Sequence, residues 1–281
     1  MCKKPFVKGI TPYPCGQCLP CRLNRRRLWT HRLLLEQRCH EFSSFFTPTY
    51  NDESLPVDGS LNPEHTRLWL MRLRSRLGPA RPLRYYLVGE YGDETFRPHY
   101  HAALFGVSRI EVELVEETWG MGRCFPGDLT KESAAYIAGY VTKKMTKKDD
   151  PRLQGRYPEF ARMSLRPGIG ALAVPVIADA LSDKHGAKAI ARDGDVPTSL
   201  NHGRSSLPLG RYLRRKLRDE LGFETIGGQE RPEKERQDEM QAMFEAAGSR
   251  TSYLTEKPFV DHQKILQTEG KARIWKKKGS L

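Results

Sequence analysis

The chain has no long apolar run. Its opening, MCKKPFVKGITPYP, lacks the continuous apolar stretch of a secretory leader. Nowhere does it approach the roughly 20 apolar residues that a membrane-spanning helix needs. These absences predict a soluble, intracellular protein with no membrane partner. There is no glycine-rich Walker loop with its lysine, so any helicase activity must come from another protein. Internal repeats and long low-complexity tracts are missing too. Cysteine is sparse, with six in 281 residues, and in an intracellular setting these thiols are expected to be reduced or metal-bound rather than paired. Acidic residues are outnumbered: 34 Asp and Glu against 47 Lys and Arg leave a formal charge of +13. The pI is near 9.5 and the mean hydropathy is −0.62. That balance does not specify a fold, but it favours a polyanionic partner.

What the chain does contain falls into three zones. Residues 1–41 are rich in cysteine and arginine and lead into a helix expected from Leu23 to Glu41. Residues 42–148 have the patterning of a compact α+β domain. Phe42 to Tyr50, aromatic and threonine-rich, reads as a strand. A helix follows with clear punctuation: Asn62 as cap, Pro63 at the first helical position, Gly78 after the end. Leu83–Glu90 and His99–Gly106 read as two strands joined by a turn. Ile110–Thr118 reads as a helix and Arg123–Phe125 as a short strand. Thr130 is placed to cap the last helix of the zone, with Glu132 in its first turn. Residues 149–281 form a basic, partly helical region, with helices expected at Leu209–Leu221 and near Glu233–Ala247.

Two short elements in the middle zone carry chemistry. In Arg97-Pro98-His99-Tyr100-His101, strand alternation puts both imidazoles on one face. Glu90, at the end of the preceding strand, can sit across the hairpin and add a carboxylate. Two imidazoles and a carboxylate hold a divalent cation with positions left open. The same set also suits a non-haem iron oxygenase, and a His-x-His pair on a strand is often only surface histidine. The second element is Tyr136-Ile137-Ala138-Gly139-Tyr140. With Tyr136 at zero on a helical wheel, Tyr140 lies near 40°, Lys143 near −20° and Lys147 near 20°. Ala134, Ile137, Ala138, Val141 and Met145 fall between about 100° and 200°. One stripe is core and the opposite one is phenol and ammonium. A metal pair beside two phenols in a basic chain points to phosphodiester chemistry with tyrosine as nucleophile.

The cysteines pose a separate question. Cys15, Cys18 and Cys21, spaced at intervals of two residues, with Cys2 make four thiols suited to a structural zinc ion. Unmetallated thiols and part of an iron–sulfur run are the alternatives. Pro14-Cys15-x2-Cys18 is half of a zinc deaminase signature, but no His-x-Glu precedes it. His40-Glu41 opens a zinc-protease motif, yet Ser44 and Phe45 stand where its second histidine is needed. Basic candidates for phosphate contact are Arg25, Arg26 and Arg27, and Arg214 and Arg215 within a run of basic residues. None of them specifies a base sequence.

Taken together, these motifs resemble those of HUH-type rolling-circle replication initiators. FFTPTY (Phe45–Tyr50) resembles the first, RPHYHAALFG (Arg97–Gly106) the metal motif, and YIAGYVTKK (Tyr136–Lys144) the third in its two-tyrosine form. GEYGDETFRPHYHAALFG and ESAAYIAGYVTKK, with the PCGQCLPCRLNRRRLW opening, are similar to initiators of the gokushovirus branch of the microviruses. The resemblance covers about residues 14–170 and includes the PGIG segment. It implies an antiparallel sheet of the split βαβ, RRM-like kind with helices on one face. It implies His99, His101 and Glu90 as ligands of Mg or Mn, Tyr136 and Tyr140 as nucleophiles, and Lys143, with Lys144 beside it, as the accompanying lysine. The expected activity is metal-dependent nicking and rejoining of single-stranded origin DNA in the host cytoplasm, with a host polymerase and helicase as partners. A relaxase or transposase would share that chemistry. A zinc-stabilised single-stranded DNA-binding protein without catalysis is the alternative of another class.

Overall fold

The computed structural model describes residues 2–9, 11–92, 94–140, 149–203, 205–223, 225–226, 229–249, 252–253 and 262–277. In chain order the elements are β1 (Phe6–Lys8), β2 (Thr11–Tyr13), α1 (Leu19–Gln37), β3 (Ser43–Pro48), α2 (Pro63–Leu77), β4 (Arg84–Tyr91) and β5 (Pro98–Phe105). Then come α3 (Val112–Trp119), β6 (Cys124–Asp128), α4 (Lys131–Tyr140), β7 (Phe160–Met163), α5 (Val174–Ser182) and α6 (Lys184–Asp193). The pair β8 (Ser199–His202) and β9 (Ser205–Pro208), α7 (Gly210–Glu220), β10 (Thr225–Ile226), β11 (Gln229–Glu230), α8 (Arg231–Ala246) and α9 (His262–Lys277) complete the order. Among the described residues no helix is long and apolar enough to cross a membrane.

Two compact units divide the chain. A sheet unit takes Arg26–Val176 and Asn201–Leu209, and a terminal unit takes Met1–Arg25, Ile177–Leu200 and Gly210–Leu281. The sheet unit is α+β. Its five strands run in the order β6-β3-β5-β4-β7, every neighbouring pair antiparallel. The boundary expected at residue 148 falls inside this unit, because β7 pairs with β4 from Tyr86↔Met163 to Gly89↔Phe160. Helix α1, expected to lie outside the middle zone, also contributes to it: Leu33 is fully buried against the sheet.

The local chemistry explains the elements. Asn62 caps α2, its side chain accepting from the Glu64 and His65 N–H groups, and Gly78 closes the helix at φ 73°. Thr130 and Ser133 satisfy one another at the start of α4: the Ser133 N–H donates to Thr130 Oγ1 at 3.2 Å and the Thr130 N–H to Ser133 Oγ at 2.7 Å. In β3, buried and half-buried residues alternate, so Phe46 and Phe45 go to opposite faces.

Each face of the sheet has its own core. On one, Phe46, Leu87, Tyr100, Ala102 and Leu104 pack against Trp69, Leu70, Leu73 and Leu77 of α2 and Val115 and Trp119 of α3. On the other, Tyr86, Val88, Ala103 and Phe105 pack against Leu33 of α1 and Ala134, Ile137 and Ala138 of α4. Helices therefore cover both faces, and the expectation of helices on one face only is corrected. The physical reason is in β4 and β5, whose buried positions run on without alternation at Leu87–Tyr91 and Tyr100–Phe105. Strands apolar on both sides need cover on both sides.

Candidate metal and tyrosine site

The β4–β5 register sets Glu90 opposite His99 and Val88 opposite His101. Alternation then points Glu90, His99 and His101 to the α4 side, and their ligand atoms all lie within 4.8 Å of one another. Glu90 and His101 are buried and His99 is half-buried. Both Nε2 atoms approach the same oxygen, Glu90 Oε1, at 2.9 Å.

The far side of each ring tests whether these groups suit a cation. His99 Nδ1 lies 3.1 Å from the Arg97 carbonyl, which only accepts, so the His99 Nδ1–H must donate there. A neutral imidazole then presents a lone pair at Nε2, facing an anionic oxygen. His101 is arranged alike, with Nδ1 3.0 Å from Thr47 Oγ1, a hydroxyl able to accept. Two lone pairs and a carboxylate converging on one point repel unless a cation lies among them. The fixed outer N–H bonds are the usual backing of metal-bound histidine. The donor set fits a divalent metal.

Helix α4 lays its polar stripe over this cluster. The Tyr140 ring stacks on His101 at 5.2 Å and 10°, and Tyr136 meets the same imidazole edge-on at 5.2 Å and 81°. The two phenol rings stand 4.9 Å apart. Phe45 supports both groups, 5.6 Å from His101 and 6.2 Å from Tyr136. Tyr136 is 48% exposed. Tyr140 is half-buried, and its hydroxyl is held well above the ordinary phenol range, first by burial, then by hydrogen bonding to Tyr136 and the charge of Glu90. Tyr140 thus stays protonated at neutral pH until something offsets that charge. Lys143, Lys144 and Lys147 lie outside the described residues.

The basic candidates divide. Arg25 and Arg215 are exposed. Arg26 is half-buried and its Nε donates to the Ala135 carbonyl of α4 at 2.8 Å, bracing the tyrosine helix. Arg27, exposed, donates to the Ser206 carbonyl at 2.8 Å. Arg214 is bound to Asp195, which also takes two bonds from the buried Arg218 at 2.7 and 2.8 Å. Arg26 and Arg214 are therefore engaged in packing, and Arg218, fully buried, was not singled out by sequence. Thr47, Phe45 and the Arg97 carbonyl were missed as partners of the histidines. Period-2 alternation in FFTPTY could have found the first two, since Phe45 and Thr47 share a face.

In the terminal unit, the Sγ atoms of Cys2, Cys15, Cys18 and Cys21 also gather within 4.8 Å of one another. Backbone N–H groups donate to three of the sulfurs: Cys15 to Cys2 at 3.1 Å, Lys3 to Cys18 at 3.3 Å, and Cys18 to Cys15 at 3.4 Å. The bonds from Cys18 and Gln17 lower the Cys15 thiol to about 6. Burial raises Cys21 to about 12. Tetrahedral zinc with bonds of about 2.3 Å sets sulfurs about 3.8 Å apart. Cys18 and Cys2 stand 3.9 Å apart, so this donor set also fits its metal.

Known proteins fit this picture. Residues 43–145 match the family model for replication-associated proteins of the ORF2 kind. Over 159 residues the chain is 33% identical to Replication-associated protein VP4 of Bdellovibrio phage phiMH2K, covering 49% of this chain and 50% of that protein. Over 180 residues it is 34% identical to Replication-associated protein ORF2 of Spiroplasma virus 4, covering 56% and 55%. Replication-associated protein ORF4 of Chlamydia phage 1 is 29% identical over 154 residues, covering 47% and 38%. The chain thus spans about half the length of the first two relatives. No solved structure matches it.

Proposed function

We propose that this chain, a relative of phage replication-associated proteins, initiates rolling-circle replication by nicking and rejoining single-stranded origin DNA. Its sheet unit is read as an HUH endonuclease domain of the RRM-like kind. The observation that carries the reading is the contact of both phenols, Tyr136 and Tyr140, with the imidazole of His101, itself on Glu90.

Glu90, His99 and His101 would hold Mg or Mn, which when bound draws charge from the scissile phosphate. The rest falls to the chain. A free phenol has a pKa near 10 and attacks poorly at neutral pH. The α4 stripe places it in line with phosphorus, and Lys143 and Lys144 are assigned to offset the phenolate charge. The Tyr136 oxygen forms a bond to phosphorus as the bond to the 3′ oxygen breaks, and that oxygen takes a proton from water. A 5′-phosphotyrosine and a free 3′-OH result. The linkage keeps a reactive phosphodiester, so rejoining needs no ATP, and the 3′-OH primes a host polymerase behind a host helicase. Tyr136, the more exposed phenol, meets the incoming strand first. Tyr140, about 6 Å further along the helix axis, cuts the regenerated origin while the first end is still held.

The test mixes the protein with Mn²⁺ and labelled single-stranded origin DNA and looks for a band that survives denaturant. The band should shrink in Tyr136→Phe and in Tyr140→Phe, and vanish in the double variant and in His99→Ala. If the wild type forms no adduct while still binding the strand, the alternative of a DNA-binding protein without catalysis replaces this reading.

A further inference from the structure

The proposed chemistry leaves the N-terminal segment without a task, yet that segment is built in an unusual way. Strands β1 and β2 pair antiparallel and set Phe6 opposite Tyr13. The two rings stack, with centroids 5.5 Å apart and planes at 19°. They do so in the open: Phe6 is 58% exposed and Tyr13 38%. An isolated two-stranded pair is marginal in water. Here both ends are tied, because Cys2 precedes the hairpin, Cys15 follows it, and the Cys15 N–H donates to Cys2 Sγ at 3.1 Å. The four-thiol cluster thus staples a hairpin whose aromatic pair faces solvent rather than a core.

Charge says what that pair meets. The first 25 residues contain five Lys and Arg and neither Asp nor Glu. Lys3 is paired with Glu269 at 2.6 Å. Lys4 and Lys8 are exposed on the hairpin and its approach. Open aromatic faces with cations alongside are what a single strand binds: bases stack on the rings and phosphates meet the lysines. A duplex does not offer its bases in this way, since they are already stacked on one another.

We propose that the N-terminal hairpin is a second, non-catalytic contact for single-stranded DNA, in which Phe6 and Tyr13 stack on nucleobases and Lys4 and Lys8 meet phosphates. It rests on the reading of single-stranded DNA as substrate, but not on cleavage. The full chain is therefore titrated, by fluorescence anisotropy, with an oligo-dT strand that carries no origin, and with a duplex as control. Phe6→Ala combined with Tyr13→Ala should weaken oligo-dT binding about tenfold or more, with the salt slope and duplex affinity unchanged. Phe6→Tyr with Tyr13→Phe should bind as the wild type does. In case the alanine variant does not fold, Phe6→Trp gives an independent signal, its emission quenched by oligo-dT and not by duplex. Unchanged oligo-dT affinity, equal loss on duplex, or an unquenched tryptophan overturns the proposal. Loss of the covalent adduct alone, with binding intact, would instead sink the nicking reading.

Discussion

At the scale of single residues, Glu36 shows what buried charge does in this molecule. Its side chain is fully buried and meets Arg84, His40 at 3.3 Å and the Gly170 N–H at 2.6 Å. Burial acts to raise its pKa, but the hydrogen bonds from His40, Arg84 and Gly170 outweigh that, and the net direction is down. A lowered folded pKa means that the unfolded chain binds its proton first as pH falls. The stabilisation is therefore complete above the ordinary carboxylate value and is lost as pH drops through the folded one. Glu36→Gln should cost about 3 kcal/mol at neutral pH, because Arg84 is left buried without its anion. Melting temperatures of the two proteins should converge on acidification, and a gap that widens would refute the assignment. No motif marks Glu36, because its partners lie 48 and 134 positions away in the chain.

At the scale of elements, some were legible in full. Asn62, Pro63 and Gly78 bracket α2 where a helix must start and stop, because capping is local chemistry. The wheel of α4 likewise foretold its core stripe, and Ala134, Ile137 and Ala138 are fully buried. Other features are set by contact alone. Gly122, after α3, has φ 137°, and a Cβ there would stand 2.3 Å from the Thr49 carbonyl and 2.6 Å from the Asn51 N–H. That turn is bonded to the segment after β3, which follows the Phe45 and Thr47 that support His101. Gly122→Ala should lower stability by at least about 2 kcal/mol, since both the backbone angle and the space forbid it. Urea titration checks this; an unchanged midpoint would show that the turn can relax.

At the scale of the whole molecule, the cysteine cluster draws on Cys2 at one end of the hairpin and on Cys15, Cys18 and Cys21 at the other. The purified protein should release about one zinc per chain on denaturation, measured with a chromogenic chelator. Cys18→Ser should lose that zinc and lower the melting temperature, because binding free energy at such a site is folding free energy. Retention of zinc by the variant, or none in the wild type, would refute the site. The division into units was not legible in composition. Charge and cysteine content change near residue 41, but helix α1 runs from Leu19 to Gln37 across that change, and its Leu33 is bound into the sheet core.

Periodicity, caps and spacing were enough to place two histidines on one side of a strand and two tyrosines on one side of a helix, because those relations span only a few residues. Tertiary structure alone decided that the two sides meet over Glu90. It likewise decided that helices cover both faces of the sheet and that Arg26 and Arg214 serve packing. Those outcomes depend on which apolar surfaces find each other across long stretches of chain, and no local pattern encodes that choice.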